Sequence, residues 1–327
     1  MVAVLYPPSP LSRGERAIGF GTLALGERPL ALAGVTWLPP PKTEEEAAMV
    51  ALLCLPALIG QASSVASRVE SIPMYVSDRR ILVMLRIGDN PPAPVVFDTG
   101  SGGNLLDLEY ANHLGMPKTG PSRSVDGSTG KPVEGFETTL ENARLGGVPI
   151  HDKTATVFRY NTPDEVGIFG PYNFPDKLVS FDFAKSVIRI ESKDSTTIPK
   201  GPSIPYDETG LPQLTISLPG MKVDACLDSG NDAPLLLPLS LAAKLPLRTK
   251  LKEVGSAVSA AGTQPIYSAH LKGSIRIASV EIKDTPIFFM KGGTPNVGLP
   301  VMRQLALKFD PTEKRTWVLG GTPSPKK

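Results

Sequence analysis

Two short motifs in the sequence each combine a carboxylate, a hydroxyl group and a glycine. Asp98-Thr99-Gly100 and Asp228-Ser229-Gly230 are separated by 228 − 98 = 130 residues, and each follows an apolar run, Val95–Phe97 or Ala225–Leu227. Two carboxylates held close together cannot both ionise, so they share one proton and can act as an acid and a base. The motifs therefore indicate acid–base chemistry, if the fold brings Asp98 and Asp228 together.

A single Asp-Thr/Ser-Gly tripeptide is weak evidence, because the same residues form ordinary tight turns. In such a turn the aspartate accepts hydrogen bonds from the local backbone, and the glycine adopts a positive φ. Two copies, each placed directly after an apolar strand, favour the functional interpretation over two unrelated turns.

The two motifs lie in an internal repeat. Each copy contains a later tripeptide that ends in glycine, Ile168-Phe169-Gly170 in the first and Asn296-Val297-Gly298 in the second. Its glycine lies 170 − 98 = 72 residues after the first aspartate and 298 − 228 = 70 residues after the second. The order and near-equal spacing of the landmarks indicate a tandem duplication. The other matched landmarks are Leu105-Leu106 and Leu235-Leu236, the short helical stretches 108–114 and 239–245, the glycine turns 127–133 and 262–266, the segments 144–152 and 276–284, and Phe181-Asp182 and Phe309-Asp310.

Composition and pattern together predict the fold class. Each copy has alternating apolar strands, glycine turns and one short helix, which is typical of a small β-barrel. The 34 prolines, 31 glycines and low aromatic content of 6% favour short strands joined by turns. We therefore predict an all-β fold of two tandem pseudo-symmetric β-barrel lobes, residues 67–191 and 211–321, joined by a polar linker at 192–210.

The segments Val96–Ser101 and Leu227–Gly230 resemble the active-site loops of aspartic peptidases. The lobe lengths and the downstream glycine tripeptide are similar to the retropepsin-like branch of the pepsin/retropepsin clan, and to its bacterial aspartyl proteases in particular. The resemblance covers roughly residues 70–320. It implies two retropepsin-like (acid protease) lobes and an aspartic endopeptidase, which hydrolyses peptide bonds with a water activated by Asp98 and Asp228.

The resemblance also implies roles for the residues around the two aspartates. Thr99 and Ser229 would hydrogen-bond between the loops and hold them in register. Gly100 and Gly230 would let the backbone approach the carboxylates, as only a residue without Cβ can. Ser101 would complete the first loop.

Three further glycines, Gly127, Gly130 and Gly262, lie where this family carries its flaps. Flaps are hairpins that close over a bound peptide, expel water and align the substrate strand. An ordinary hairpin turn explains these glycines equally well.

The residues after the two motifs differ, Ser101-Gly102 in the first copy and Asn231-Asp232 in the second. Asp232 adds a third carboxylate near the pair, and we expect it to be solvated. These differences keep an alternative open, in which the chain is a catalytically weak or inactive peptide-binding or scaffolding module of the same fold.

No cofactor and no metal is expected, because His113, His151 and His270 lack the spacing of a zinc site. The only cysteines, Cys54 and Cys226, form no disulfide framework, and Cys226 is interpreted as a buried core residue. The net charge of +2 and the lack of a basic stripe argue against nucleic acid. The expected partner is a peptide or protein substrate, and the expected state is a monomer that contains an internal pseudo-dimer.

The N-terminal region has two predicted parts. Residues 1–48 are interpreted as disordered or as the product of a mis-assigned start codon, and residues 49–66 resemble a signal peptide with small residues before the cleavage site. The apolar run is shorter than the roughly 20 residues that span a bilayer, so no stable membrane span is expected. Glu44–Glu46 precede it, which leaves a short buried helix or strand as the alternative. A signal peptide would place the protein in the periplasm or outside the cell, and its absence would place it in the cytoplasm.

Overall fold

β-Strands account for 49% of the structure and helices for 8%, so the predicted all-β class is confirmed. The computed structural model describes residues 4–6, 69–77, 79–122, 124, 132–159, 164–194, 196–259 and 262–321. The predicted signal peptide and the predicted flap glycines Gly127 and Gly130 lie outside these ranges.

The strands of the first half of the chain are short, mostly two to six residues, as the many turns predict. They are β1 (Val4–Tyr6), β2 (Glu70–Pro73), β3 (Tyr75–Val76), β4 (Ile81–Arg86), β5 (Ala93–Phe97), β6 (Leu105–Asp107), β7 (Gly120–Pro121), β8 (Phe136–Thr139), β9 (Arg144–Leu145), β10 (Val148–Pro149), β11 (Thr154–Phe158), β12 (Gly167–Phe169), β13 (Lys177–Asp182) and β14 (Val187–Ser192).

The second half contains the longest strands. It comprises β15 (Ile204–Pro205), β16 (Gln213–Leu218), β17 (Met221–Asp228), β18 (Leu235–Pro238), β19 (Lys252–Ser259), β20 (Gly262–His270), β21 (Ile275–Ile277), β22 (Val280–Ile282), β23 (Pro286–Met290), β24 (Asn296–Gly298), β25 (Leu305–Asp310) and β26 (Arg315–Gly321). The helical elements are α1 (Leu108–His113), α2 (Leu299–Met302) and two 3-10 turns, Pro171–Asn173 and Leu239–Lys244.

Two of the three sheets have the same strand order. The first runs β10-β9-β4-β5-β12-β6-β11-β8-β7, with β3 added to β4, and the second runs β22-β21-β16-β17-β24-β18-β23-β20-β19-β1. The pairing directions agree as well: β5–β12 and β6–β11 are parallel in the first sheet, and β17–β24 and β18–β23 are parallel in the second. The first motif therefore begins directly after the central strand β5, and the second begins at the last residue of the corresponding strand β17.

The third sheet joins the two halves of the chain. Its order is β15-β26-β25-β13-β14-β2, and its central strands β13 and β25 pair antiparallel. Phe181 of β13 packs edge-on against Phe97 and Phe309, with ring centroids 5.9 Å apart in both pairs. These rings connect the strand that leads to Asp98 with the sheet beneath it.

The strands form where apolar residues alternate, since a period of two buries one face of a strand. In β4 the buried side chains are Ile81, Val83 and Leu85, and in β16 they are Leu214, Ile216 and Leu218. They belong to one hydrophobic core that continues from the first sheet to the second. Burial of this core holds the central strands, and with them the motif loops, in place.

The two predicted helical stretches differ in the structure. Residues Leu108–His113 form an α-helix whose N-cap, Asp107, accepts hydrogen bonds from the Glu109 and Tyr110 amides. The second stretch forms the 3-10 turn Leu239–Lys244, which follows Pro238 and has no side-chain cap. An aspartate cap satisfies the free amides of a first helical turn, and proline has no side chain that can do so.

Two segments outside the predicted lobes contribute strands. Val4–Tyr6 pairs with the outer edge of β19, and β15, within the predicted linker, pairs with β26. Within the described ranges, none of the helices has the length and apolar character that crossing a membrane requires.

Candidate active site

The two motif aspartates are buried and lie in contact with each other. Asp98 follows β5 and Asp228 is the last residue of β17, and neither side chain is exposed to solvent. The two carboxyl groups are within hydrogen-bonding distance of each other. The Asp98 amide donates to the Phe169 carbonyl (2.7 Å), so the end of β12 lies directly alongside the first motif. The structure thus brings together the two groups that the sequence assigns to catalysis.

Reciprocal hydrogen bonds join the two motif loops through Thr99 and Ser229. The Thr99 amide donates to Ser229 Oγ (3.0 Å), and the Ser229 amide donates to Thr99 Oγ1 (3.1 Å). Each hydroxyl then donates to a carbonyl of the opposite strand, Thr99 to Leu227 (2.6 Å) and Ser229 to Phe97 (2.8 Å). Four buried hydrogen bonds therefore fix the register of one loop against the other.

The motif glycines make room for the opposite aspartate. A Cβ atom on Gly100 would lie 2.6 Å from Cγ of Asp228, and one on Gly230 would lie 2.8 Å from Cγ of Asp98. Their amides also donate to the carboxylates: Gly100 to Asp98 Oδ1 (2.7 Å), and Gly230 to Asp228 Oδ1 (3.0 Å) and Asp98 Oδ1 (3.2 Å). Any side chain at these positions would push the two carboxyl groups apart.

The environment of the pair favours retention of one proton. The pKa of Asp228 is raised from its ordinary 3.8 to about 8, chiefly because burial removes the carboxylate from water. The charge of Asp98 and the hydrogen bond with it act in the same direction, and the hydrogen bond from Asn296 acts in the opposite direction. Because the two groups are coupled, the proton belongs to the pair. The raised pKa of Asp228 therefore favours a protonated carboxyl group in the pair, as an acid–base mechanism needs.

The structure adds two site residues that the sequence analysis did not assign, Asn231 and Asn296. Asn296 Nδ2 donates to Asp228 Oδ2 (2.6 Å), and Asn231 Nδ2 donates to Asn296 Oδ1 (2.7 Å). Both side chains are buried. A signal was present in the sequence, because Asn296 is a polar residue in a tripeptide whose first-copy counterpart begins with Ile168.

A second polar network supports the first motif loop. The Tyr172 hydroxyl and Asn173 Nδ2 both donate to Asn104 Oδ1 (2.8 Å each). Tyr172 also lies within hydrogen-bonding reach of Ser101, whose Oγ donates to the Gly103 carbonyl (2.7 Å). Burial raises the pKa of Tyr172 well above its ordinary value, and the charges of Asp152 and Asp98 add to this rise. The tyrosine therefore stays neutral and serves as a hydrogen-bond donor to the loop.

The remaining residues discussed in the sequence analysis lie outside the two motif loops or beside them. Gly262 pairs with Ser259 at the end of the β19–β20 hairpin, which is the element predicted as the second flap. Asp232, expected to be solvated, is half-buried. Burial and the nearby Asp228 raise the pKa of the Cys226 thiol, which therefore stays neutral. Among the described residues, no group of three or more His, Cys, Asp or Glu side chains is placed to hold a metal ion.

Comparison with known proteins finds a similarity, which includes the first motif. Residues 83–171 match a family model described as "Aspartyl protease". The matched segment includes the Asp98 motif and the β12 tripeptide, and the Asp228 motif lies beyond it. No curated protein matches the chain. Residues 83–171 are therefore similar to aspartyl proteases.

Proposed function

We propose that this protein is an aspartic endopeptidase, in which Asp98 and Asp228 together activate a water molecule that attacks the scissile peptide bond. The observation that carries the proposal is the contact between two buried aspartates from corresponding strands, held by the hydrogen bonds that Thr99 and Ser229 exchange. A pair of ordinary turns needs neither the burial nor the contact.

The proposed mechanism uses the single proton of the pair. The ionised carboxylate removes a proton from the water, and the oxygen of that water attacks the carbonyl carbon. The protonated carboxyl group donates a hydrogen bond to the carbonyl oxygen, which carries the developing negative charge. The resulting tetrahedral intermediate breaks down when the carboxyl group that took the proton from water gives it to the peptide nitrogen, which leaves, and the pair again holds one proton. No covalent bond forms between the enzyme and the substrate.

A cavity beside the first motif loop supports a peptide substrate. It has a volume of about 440 Å³ and is lined by Gly102 to Asn104, which follow the motif, and by residues of β7, β8 and β11. Glycines in the lining leave the backbone open to close approach, and an extended peptide is bound through main-chain hydrogen bonds. We propose that the cavity receives a side chain of the bound substrate.

The shared strand order of the first two sheets supports the proposal that the protein is active as a monomer. If each sheet corresponds to one copy of the repeat, one chain supplies both aspartates and a monomer is sufficient. An active monomer in size-exclusion fractions is the expected result. Activity confined to a dimer fraction would contradict it.

The direct test is digestion of a mixed peptide library between about pH 3 and pH 8. Asp98→Asn and Asp228→Asn should each abolish cleavage, because the single remaining carboxyl group cannot act as acid and base at the same time. Asp224→Asn is the matched control, since Asp224 lies exposed on the same strand as Asp228 and should be dispensable. If either Asp98→Asn or Asp228→Asn kept full activity, the mechanism would be wrong. Peptide binding without turnover across the whole range would favour the scaffolding alternative.

A further inference from the structure

A chain of side-chain amides leads from the backbone of the second motif loop to Asp228. The Ala233 amide donates to Asn231 Oδ1 (2.9 Å), Asn231 Nδ2 donates to Asn296 Oδ1, and Asn296 Nδ2 donates to Asp228 Oδ2. Asn231, Asn296 and Asp228 are each at most 1% exposed. We call Asn231 and Asn296 the amide relay.

The direction of the relay is fixed by its first member. A backbone N–H can only donate, so the atom of Asn231 that faces Ala233 must be the oxygen. The nitrogen of Asn231 then faces Asn296, which therefore presents its own oxygen to Asn231. The remaining group of Asn296, its NH2, faces Asp228. Asp228 Oδ2 thus receives a donor that has no alternative orientation.

The corresponding position beside Asp98 cannot supply such a donor. Ile168 lies two residues before Gly170 as Asn296 lies two residues before Gly298, and the strand pairings place Gly170 beside Asp98 and Gly298 beside Asp228. Ile168 has no polar side-chain atom. The two halves of the site are therefore chemically different at this position, although their strand order is the same.

A fixed N–H donor stabilises the ionised form of the carboxylate that accepts from it. We propose that Asn296 is a positioning residue that stabilises the ionised form of Asp228 and so limits the rise in its pKa that burial causes. The consequence for catalysis rests on the proposed function. The effect of Asn296 on the ionisation of Asp228 does not.

Three other titratable groups lie near the pair, and none of them interferes with a measurement of the effect of Asn296 on Asp228. Cys226 lies on the strand that leads to Asp228, Tyr172 lies behind Asp98, and burial raises the pKa of both, so they stay neutral over the range in which carboxyl groups titrate. Asp232 follows in the second loop and is half-buried. Replacing Asn296 removes none of these three groups, so a change in the pKa of Asp228 is attributed to Asn296.

The test isolates Asp228 in the Asp98→Asn background, where one carboxyl group of the pair remains. The pKa of Asp228 is measured by NMR on protein with ¹³C-labelled aspartate, and the signal is identified by its loss in Asp228→Asn. Adding Asn296→Leu should raise this pKa by about one unit, a tenfold change in the ionisation constant, because the carboxylate loses a fixed donor. Adding Asn231→Ala should raise it by less, because Asn296 stays but loses its orientation. Cys226→Ala is the control at a neighbouring position and should leave the pKa unchanged, since it removes no donor to the carboxylate.

An Asp228 pKa that is unchanged or lower in Asn296→Leu would overturn the proposal. If Asn296→Leu does not fold, Asn231→Ala decides alone, and an unchanged pKa in that variant would also overturn the relay. For a chain that cleaves peptides, Asn296→Leu should move the acidic limb of the kcat/KM profile to higher pH. If no peptide is cleaved under any condition, the proposed function fails, while the NMR comparison still decides whether the relay controls Asp228.

Discussion

Thr99 and Ser229 exchange hydrogen bonds across the two motif loops, with each amide donating to the hydroxyl of the other residue at 3.0 Å and 3.1 Å. Each hydroxyl also donates to a carbonyl of the opposite strand. Every donor and acceptor of this buried set is therefore satisfied by a residue about 130 positions away in the sequence. Loss of one hydroxyl leaves an amide and a carbonyl buried without their partner, which costs more than the bond itself contributes.

Replacing Thr99 with alanine should lower the free energy of unfolding by about 1–3 kcal/mol, because the Ser229 amide and the Leu227 carbonyl lose their partner. Thr99→Ser should restore most of the loss, since it keeps the hydroxyl. Urea denaturation measures both effects. Thr215→Ala, at an exposed site, should stay within about 0.5 kcal/mol of the parent. A Thr99→Ala variant as stable as that control would contradict the role of the exchange.

An alanine at Gly100 or Gly230 should destabilise the fold by more than the roughly 1–3 kcal/mol that is typical of overpacking. The added Cβ would meet the opposite aspartate at 2.6 or 2.8 Å, and that aspartate is itself buried and hydrogen-bonded. Thermal unfolding measures the loss. Gly201→Ala is the control, because a Cβ at Gly201 meets nothing within 4 Å. Equal melting temperatures for Gly100→Ala and Gly201→Ala would show that the two loops do not approach as described.

The stability of the protein should decrease as the pH rises from the ordinary aspartate pKa of 3.8 toward about 8. In the folded protein the pKa of Asp228 is raised, so the folded state binds this proton more tightly than the unfolded chain. The stability from Asp228 is then fully present below the unfolded pKa and is lost as the pH rises through the folded pKa.

Asp228→Asn should flatten this part of the profile, because asparagine does not titrate. Denaturant unfolding at a series of pH values is the measurement, with Asp224→Asn as the exposed control. An Asp228→Asn profile that declines as steeply as the parent would assign the pH dependence to another group.

Removing one member of the Arg80–Glu165 ion pair should cost about 3–5 kcal/mol, because the other charge is left buried. The Glu165 side chain has no exposure and that of Arg80 has 11%. Glu165→Leu should therefore destabilise strongly, and the double variant Arg80→Leu/Glu165→Leu should recover part of the loss. The exposed pair Arg159–Glu109 is the matched control, where Glu109→Ala should cost at most about 1 kcal/mol. A double variant less stable than Glu165→Leu would contradict this account.

Much of the candidate site follows from sequence pattern. The apolar runs before Asp98 and Asp228 form the central strands β5 and β17, and the glycine tripeptides form β12 and β24 beside them. These elements are predictable because alternation and turn residues act over a few positions. The leucine pairs show the limit of such matching. The strand pairings align Leu105-Leu106 with Leu236-Leu237, one position later than the predicted Leu235-Leu236, because the second loop contains one more residue.

The sequence by itself determined the two aspartates, the glycines and hydroxyls next to them, and the all-β character of the chain, since these depend on residue type and local spacing. Only the tertiary structure decided that Asp98 and Asp228 lie in contact, and that Asn231 and Asn296 direct an N–H donor to one of them. Contacts between positions 65 to 132 residues apart depend on the packing of strands from distant parts of the chain. Local pattern carries no information about which buried polar side chains such packing brings together, and here that packing makes the two halves of the site unequal.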